Sequence, residues 1–222
     1  MFLTLGVVMV SHNSSRAAIK LVDQLVDQGA SDIVVVDSGS SDQERSALTA
    51  ALDLRGIRLE CITNNVGFGA AVNVGAAMLE SRQFLLICNS DIEFEDGSLE
   101  RLMTTAGSSS DRVVSPAISS GSRENPVYWF RGAAMVPSRG YVRHRSKGRR
   151  LKKPEHGDLA TPFAPATALL VPRELFERVK GFREDLFMYW EDADFSLKAT
   201  EAGARIVCDL GATLWHEVGG SE

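Results

Sequence analysis

The chain has 222 residues, 44% hydrophobic and 24% charged, which suffices for the buried core of one large domain and is ordinary for a soluble globular protein. No apolar run reaches the length of a membrane span, and the first residues lack the basic start and cleavage site of a signal peptide. The net charge of −5 hides an asymmetry: residues 125–154 carry nine Lys or Arg and no acid, leaving −14 for the rest.

In chain order, Leu3 to Val10 is a near-continuous apolar strand ended by Ser11-His12-Asn13. Ser14 or Ser15 caps a helix whose apolar positions Ala18, Leu21, Val22, Leu25 and Val26 follow helical spacing, and Gly29 closes it. Ile33 to Val36 is a second buried strand, ended by Asp37. Ser41 and Glu44 form a capping box for a helix to about Asp53. Ile57 to Ile62 is a third strand, and Asn64 to Gly69 is a turn opening a small-residue helix through Leu79. Phe84-Leu85-Leu86-Ile87-Cys88 is a fourth strand, ending in Asn89-Ser90-Asp91-Ile92-Glu93. This alternation predicts an α/β fold with a mainly parallel central sheet flanked by helices.

Regularity then fades. Ser98 to Ala106 reads as a helix, Val113-Val114 as a short strand, residues 115–126 as loop and Val127 to Val136 as one strand. The basic stretch 139–153 has no apolar periodicity and reads as mobile. Its charge fits contact with a phosphate-bearing substrate or a lipid surface, or simply a solvated loop. No nucleic-acid partner is expected. Ala166 to Val171 is a strand, Glu174 to Val179 a helix after Pro172, Asp192 to Ala202 a second helix and Arg205 to Cys208 a last strand. Cys61, Cys88 and Cys208 lack any metal spacing and read as buried small hydrophobes of a reducing, cytoplasmic compartment. No linker divides the chain, so one domain over 1–222 is expected.

Ser11-His12-Asn13, Asp37 and Asn89-Ser90-Asp91 all end strands, and polar tips on neighbouring parallel strands line a crevice suited to a nucleotide. Asp37 is placed to accept hydrogen bonds from a base or ribose, to cap its own turn, or both. Asp91 and Glu93 share a side of an extended chain and suit Mg²⁺ or Mn²⁺ holding a diphosphate; the plain alternative is a strand-ending turn. His216 beside Trp215 is either a packing residue or a ligand completing a metal site with Asp91 and Glu93. Glu191, Asp192 and Asp194 gather beside Tyr189 and Trp190. Asp192 is then a helix cap or a general base, with Trp190 as a platform for a sugar ring. Gly67-Phe68-Gly69 fails the dinucleotide fingerprint because Val72 stands where the third Gly belongs, and no Gly-Lys-Ser/Thr phosphate loop exists.

Several blocks, in order, resemble the family 2 glycosyltransferases of the GT-A fold, in particular the bacterial rhamnosyltransferase type. They are Val7 to Asn13, Val34 to Asp42, Asn65 to Asn73, Asn89-Ser90-Asp91, Ala168 to Arg173 and Gly181 to Asp194. The resemblance implies an inverting, metal-dependent transfer of a sugar, rhamnose as first choice, to a bacterial glycan or lipid-linked acceptor. The donor would be a dTDP- or UDP-linked sugar. It implies a nucleotide-binding half at 1–116 and an acceptor-side half at 117–222 containing a mobile basic segment at 139–160. It puts Ser11, Asn13, Asp37, Ser38, Gly67, Asn89, Ser90, Asp91 and Trp190 around the donor. Asp91, Glu93 and His216 would hold the divalent cation (Mn²⁺ or Mg²⁺), and Asp192 would be the base. Asn89 departs from the family's Asp-X-Asp motif and leaves the metal fewer carboxylates. A silent nucleotide- or glycan-binding module and a sugar-phosphate nucleotidylyltransferase are the alternatives. The basic segment would also allow peripheral contact with the inner membrane face.

Overall fold

The computed structural model describes residues 4–107, 109–151 and 156–217. Four strands set its frame: β1 (Leu5–Ser11), β2 (Ile33–Ser38), β3 (Arg58–Ile62) and β4 (Phe84–Asn89), all parallel in the order β3-β2-β1-β4. Their side chains alternate between two apolar layers, as strands with both faces covered must. Val7, Met9, Ile33, Val35, Leu86 and Cys88 join one layer with helices α1 (Ser15–Asp27), α2 (Asp42–Asp53) and α4 (Ser98–Ala106). Val8, Val34, Val36, Leu85 and Ile87 join the other with α3 (Phe68–Ala77), α5 (Arg173–Arg178) and α6 (Glu191–Glu201). The small residues of α3 bring it close to the sheet; a Cβ on Gly75 would press into Val8 and Val36.

The second half extends the same sheet with one reversal. Strand β11 (Ala168–Pro172) runs antiparallel to β4, with Ala168 opposite Cys88. Beyond it lie β6 (Arg112–Ser122), antiparallel to β11, then β12 (Arg205–His216), parallel to β6, and β10 (Asp158–Ala160) at the edge. Because β11 opposes both neighbours, β6 and β12 point the same way as β1, β2 and β4. With β3, also parallel to β2, six carboxyl ends and the amino end of β11 therefore meet at one edge. Short β5 (Ile92–Phe94) pairs with the end of β12, and β7 (Asn125–Phe130) with the end of β6.

Strand β12 is far longer than the predicted Arg205 to Cys208. A bulge between Asp209 and Thr213 hides its continuity in the sequence. The wholly buried Asp209 carboxylate organises that bulge, accepting from Gly211 N (2.8 Å), Ala212 N (3.2 Å), Arg101 Nε (2.9 Å) and Thr105 Oγ1. The strand thereby reaches His216 at the functional edge.

Three further expectations are corrected. Residues 115–126 form most of the β6–β7 hairpin, because Ser and Gly there still alternate with buried Ala117, Ile118 and Ser120. The strand predicted over 127–136 breaks at Gly132 (φ 84°), after which β8 (Ala133–Val136) pairs with β9 (Tyr141–His144) in a separate sheet. The basic stretch, expected without regular structure, thus supplies β9, and a turn over 146–151 bonds to Pro126 and Tyr128 through Gly148, Arg149 and Leu151. Its residues 152–155 lie outside the described residues. Cys61 is exposed on the outer strand β3, whereas Cys88 and Cys208 are buried as expected.

Gly67 offers a test of how tightly the α3 turn is packed. Its φ is 85°, and an added Cβ would overlap the Phe187 carbonyl, whereas Gly56 (φ 65°) faces open space. Gly56→Ala is expected to lose only the left-handed penalty of roughly 1–2 kcal/mol. Gly67→Ala should lose roughly 1–3 kcal/mol more from backbone displacement. Urea denaturation of the two variants measures the difference; equal losses would show that the turn is loosely packed.

Candidate active site

The first polar tips are tied to one another. Asn13 (φ 48°) donates its N–H to Ser40 Oγ (2.8 Å), and its Oδ1 accepts from Ser41 N (2.9 Å). In return Glu44 of α2 accepts from Ser15 N (2.9 Å) at the start of α1. The two helix starts therefore cap each other, and the expected capping box keeps only its Ser41–Glu44 N half (3.4 Å). Ser14 does not cap α1; its hydroxyl links Ser11 (3.1 Å) to Ser90 (2.7 Å) across the β1–β4 boundary. Ser38 bonds Asn65 Oδ1 and Val66 N, both at 3.2 Å, joining the turn before α3 to the same edge.

Asp37 occupies the centre of this network and has no exposed surface. Its carboxylate accepts from Ser40 Oγ and from Arg45 Nε (3.1 Å). Turn-fixing is the role its contacts fill. Gly67 likewise serves packing, since it lets Phe68 N reach Phe187 O (3.3 Å).

At the end of β4, Asp91 Oδ2 and His216 Nε2 lie 3.3 Å apart, both largely buried. Glu217 N donates to the Asp91 carbonyl (3.0 Å), and the Trp129 ring packs edge-on to His216 at 4.9 Å. Glu93 does not join them. Its oxygens bind Lys20 Nζ (2.5 Å) and Arg123 Nη2 (2.6 Å), and among the described residues no three His, Cys, Asp or Glu converge. Lys20 and Arg123 take up Glu93, so of the three expected ligands the structure brings together Asp91 and His216. The pair still fits a divalent cation held jointly with a diphosphate: one carboxylate oxygen and one imidazole nitrogen face each other. His216 Nδ1 is buried without a partner among the described residues.

The third group is the start of α6. Tyr189 (φ 68°) and Trp190 (φ 72°) are consecutive non-glycine residues in the left-handed region, a local strain typical of functional loops. With Phe187 and Met188 they form a run of four exposed large apolar side chains. Trp190, not Asp192, is the helix cap residue. Burial, and then the neighbouring Glu191 charge, push the Asp192 carboxyl up to about 7, against pull-down by the N–H groups of Ala193 and Ala166. Ala166 adjoins Thr167, whose carbonyl accepts from Asn89 N (3.1 Å), so Asp192 sits over the β4–β11 boundary.

Three contributors were not foreseen as site residues. Asn73 of α3 clasps the loop before α6, bonding Phe182 O (2.9 Å), Phe182 N (3.0 Å) and Glu184 Oε1 (3.1 Å). Arg173 bonds the carbonyls of Ala76 and Leu79 (2.8 Å each) at the far end of α3. Glu191 is buried with one oxygen unpartnered, and burial raises its pKa. Asn73 and Glu191 stand within the very blocks that carry the resemblance, which was the available signal.

A parallel-sheet edge bearing a crevice, an acid–imidazole pair and a desolvated carboxylate defines a GT-A type of site. Residues 6–180 match the model of "Glycosyl transferase family 2", and the chain belongs to that family. It is 25% identical over 203 residues to an N-acetylglucosaminyl-diphospho-decaprenol L-rhamnosyltransferase of Mycobacterium tuberculosis, covering 83% of this chain and 66% of the relative. It is 24% identical over 212 residues to the low-salt glycan biosynthesis hexosyltransferase Agl10 of Haloferax volcanii, covering 91% and 63%. The chain thus spans just under two thirds of these relatives. Among solved structures, GalNAc-T7 with UDP, GalNAc and Mn²⁺ superposes with a TM-score of 0.80 at 16% identity, covering 97% of this chain and 44% of the other. TarS of S. aureus with UDP-GlcNAc gives 0.70 at 17% identity, covering 99% and 60%. The fold is GT-A.

The raised Asp192 pKa carries a stability signature. Between its ordinary 3.8 and about 7 the native state binds more protons than the unfolded chain, so this group's contribution falls as pH rises through that window. Asp192→Asn removes the loss. The variant should gain stability relative to the parent from pH 4.5 to pH 7.5 in urea denaturation; an unchanged gap would contradict the desolvated site.

Proposed function

We propose that the chain is an inverting, metal-dependent glycosyltransferase that moves a sugar, rhamnose as first choice, from a dTDP- or UDP-sugar to a glycan or lipid-linked acceptor. The observation that supports this is the Asp192 carboxyl, desolvated to a pKa near neutrality and bonded to Ala166 N at the β4–β11 boundary, on the same sheet edge as the Asp91–His216 pair. The names of the two relatives, a rhamnosyltransferase and a hexosyltransferase, support the sugar class.

The donor nucleotide would lie along the carboxyl ends of β1, β2 and β4, against Ser11, Asn13, Ser38 and the Asn89-Ser90-Asp91 turn. Asp37 would act from beneath, holding Ser40 and hence Asn13 in place. Asp91 and His216 would hold a divalent cation, which when bound supplies Lewis-acid stabilisation of the departing diphosphate. Asp192 would take the proton of the acceptor hydroxyl as that oxygen attacks the anomeric carbon opposite the leaving group. The exposed rings of Tyr189 and Trp190 would offer stacking faces to the acceptor sugar and keep water from the base.

Two measurements test the reading. Asp192→Asn should lower transfer by roughly 10²–10⁴-fold while nucleotide affinity stays within about 3-fold, because a carboxamide cannot take the proton. The parent's kcat/KM should fall below about pH 7, and Glu191→Gln should move that limb to lower pH by removing a nearby negative charge. Retention of most activity by Asp192→Asn would sink the assignment. Calorimetry with UDP and dTDP, with and without Mn²⁺, addresses the cation. His216→Ala should lose about 10-fold or more of the Mn²⁺-dependent affinity, and Glu93→Gln should lose little. The reverse order would restore Glu93 as the ligand.

A further inference from the structure

A second concavity opens at the same edge, over the ends of β6, β7 and β12. This cleft of roughly 610 Å³ is walled by the indoles of Trp129 and Trp215 and by His216. Two cations are presented over those indoles: Arg123 at 4.3 Å from the Trp215 ring centre and Lys147 at 5.7 Å from that of Trp129. Cation–π contact helps fix where these charges stand; Arg123 also donates to Glu93 (2.6 Å) and lies 3.7 Å from Glu95. The cleft's Glu93 is already neutralised by Lys20 and Arg123. Glu217 is the other acid in its lining, and the described segment 125–151 that supplies Trp129 and Lys147 carries seven basic and no acidic side chains. The cleft is therefore set for an anion attached to a flat apolar or sugar face.

Sheet order says which substrate this is. The donor nucleotide, as proposed above, lies over the ends of β2, β1 and β4, and Asp192, which accepts from Ala166 N, lies at the β4–β11 boundary. The cleft lies on the other side of Asp192, over β6 and β12. A general base stands between donor and acceptor; the cleft shares His216 with the pair assigned to the donor's cation and extends from it over β6 and β12, away from β1 and β2, toward the acceptor's side. We propose that this cleft binds the phosphate of a phosphate-linked sugar acceptor, Arg123 and Lys147 holding the anion and Trp129 and Trp215 flanking the attached sugar. The proposal rests on the glycosyltransferase reading for its orientation. It also explains why the basic stretch is folded back as β9 and the 146–151 turn: that fold places Lys147 over Trp129.

The test uses tryptophan fluorescence, because two of the chain's three Trp line the cleft. The probe is a citronellyl-diphospho-N-acetylglucosamine, titrated in EDTA so that the Asp91–His216 pair cannot hold its diphosphate through a cation. Octyl N-acetylglucosaminide, inorganic pyrophosphate and phosphatidylglycerol vesicles are titrated alongside. The diphospho-sugar should bind about 10-fold or more tighter than the octyl glycoside, and Lys147→Gln and Arg123→Gln should each remove about that factor. Both residues are exposed, and unchanged melting temperatures confirm folding. Equal binding of the two glycosides, or variants that bind like the parent, would overturn the proposal. Pyrophosphate binding as tightly as the diphospho-sugar would make the ligand a free anion, and binding of vesicles alone would make it a lipid surface; either outcome overturns the acceptor assignment. A separate titration with UDP and dTDP plus Mn²⁺ reads the donor side. Failure there with success in the cleft would reject the donor reading and leave the anion site standing.

Discussion

Covering both faces of the sheet is the constraint from which the rest of the structure follows. Val7 and Val8, or Leu86 and Ile87, are neighbours in sequence and enter opposite apolar layers, so no face remains for chemistry. Each such side chain contributes on the order of 1.5–3 kcal/mol through burial, and a polar group among them would forfeit that. Polar residues are driven to the strand ends. The reversal at β11 then aligns β6 and β12 with β1, β2 and β4, so polar ends from both halves of the chain share one edge. His216 meets Asp91 there although they are 125 positions apart.

The loop from Gly181 to Trp190 depends on that frame and stores strain within it. Asn73 clasps its start, and Gly67 and Gly69 let its later backbone and Glu191 lie against the beginning of α3. Without those glycines the loop could not approach, and two consecutive left-handed aromatic residues would relax. Held as they are, they expose four large apolar side chains and hand the chain into α6 with Glu191 and Asp192 desolvated. Strain, an unpartnered Glu191 oxygen and a raised carboxyl pKa fall within the four residues 189–192. Packing alone gives no reason to keep such costs together.

Much of this was legible in the residues. Continuous apolar runs marked β1, β2 and β4 to within two residues, and the spacing of apolar positions marked the helices of the first half, although the expected serine cap of α1 is not made. The blocks chosen for their chemistry, Asn65 to Asn73 and Gly181 to Asp194, are bonded together. What stayed hidden depends on partners distant in sequence. The Asp209 bulge interrupts β12 locally and is stable only because Arg101 and Thr105 reach it from α4. The β6–β7 hairpin is built of Ser, Gly and Pro, whose local preference for loop is overridden by pairing and by burial of Ala117 and Ile118. Glu93 looked like a ligand because it shares a side with Asp91 in an extended chain, but Lys20 and Arg123, remote in sequence, claim it. Asp37 was read as contacting a nucleotide, fixing its own turn, or both, and its bonds from Arg45 and Ser40 fill the turn role.

The central claim is that donor, base and acceptor are laid out along one sheet edge, with Asp192 between the first and the last. A crystal structure of the protein with Mn²⁺, a nucleoside diphosphate and a phosphate-linked acceptor sugar tests it most directly. The account predicts the diphosphate beside Asp91 and His216, the acceptor phosphate beside Arg123 and Lys147, and the acceptor hydroxyl within hydrogen-bond reach of Asp192. A nucleotide seated against Trp129 and Trp215, or an acceptor hydroxyl bound away from Asp192, would contradict it.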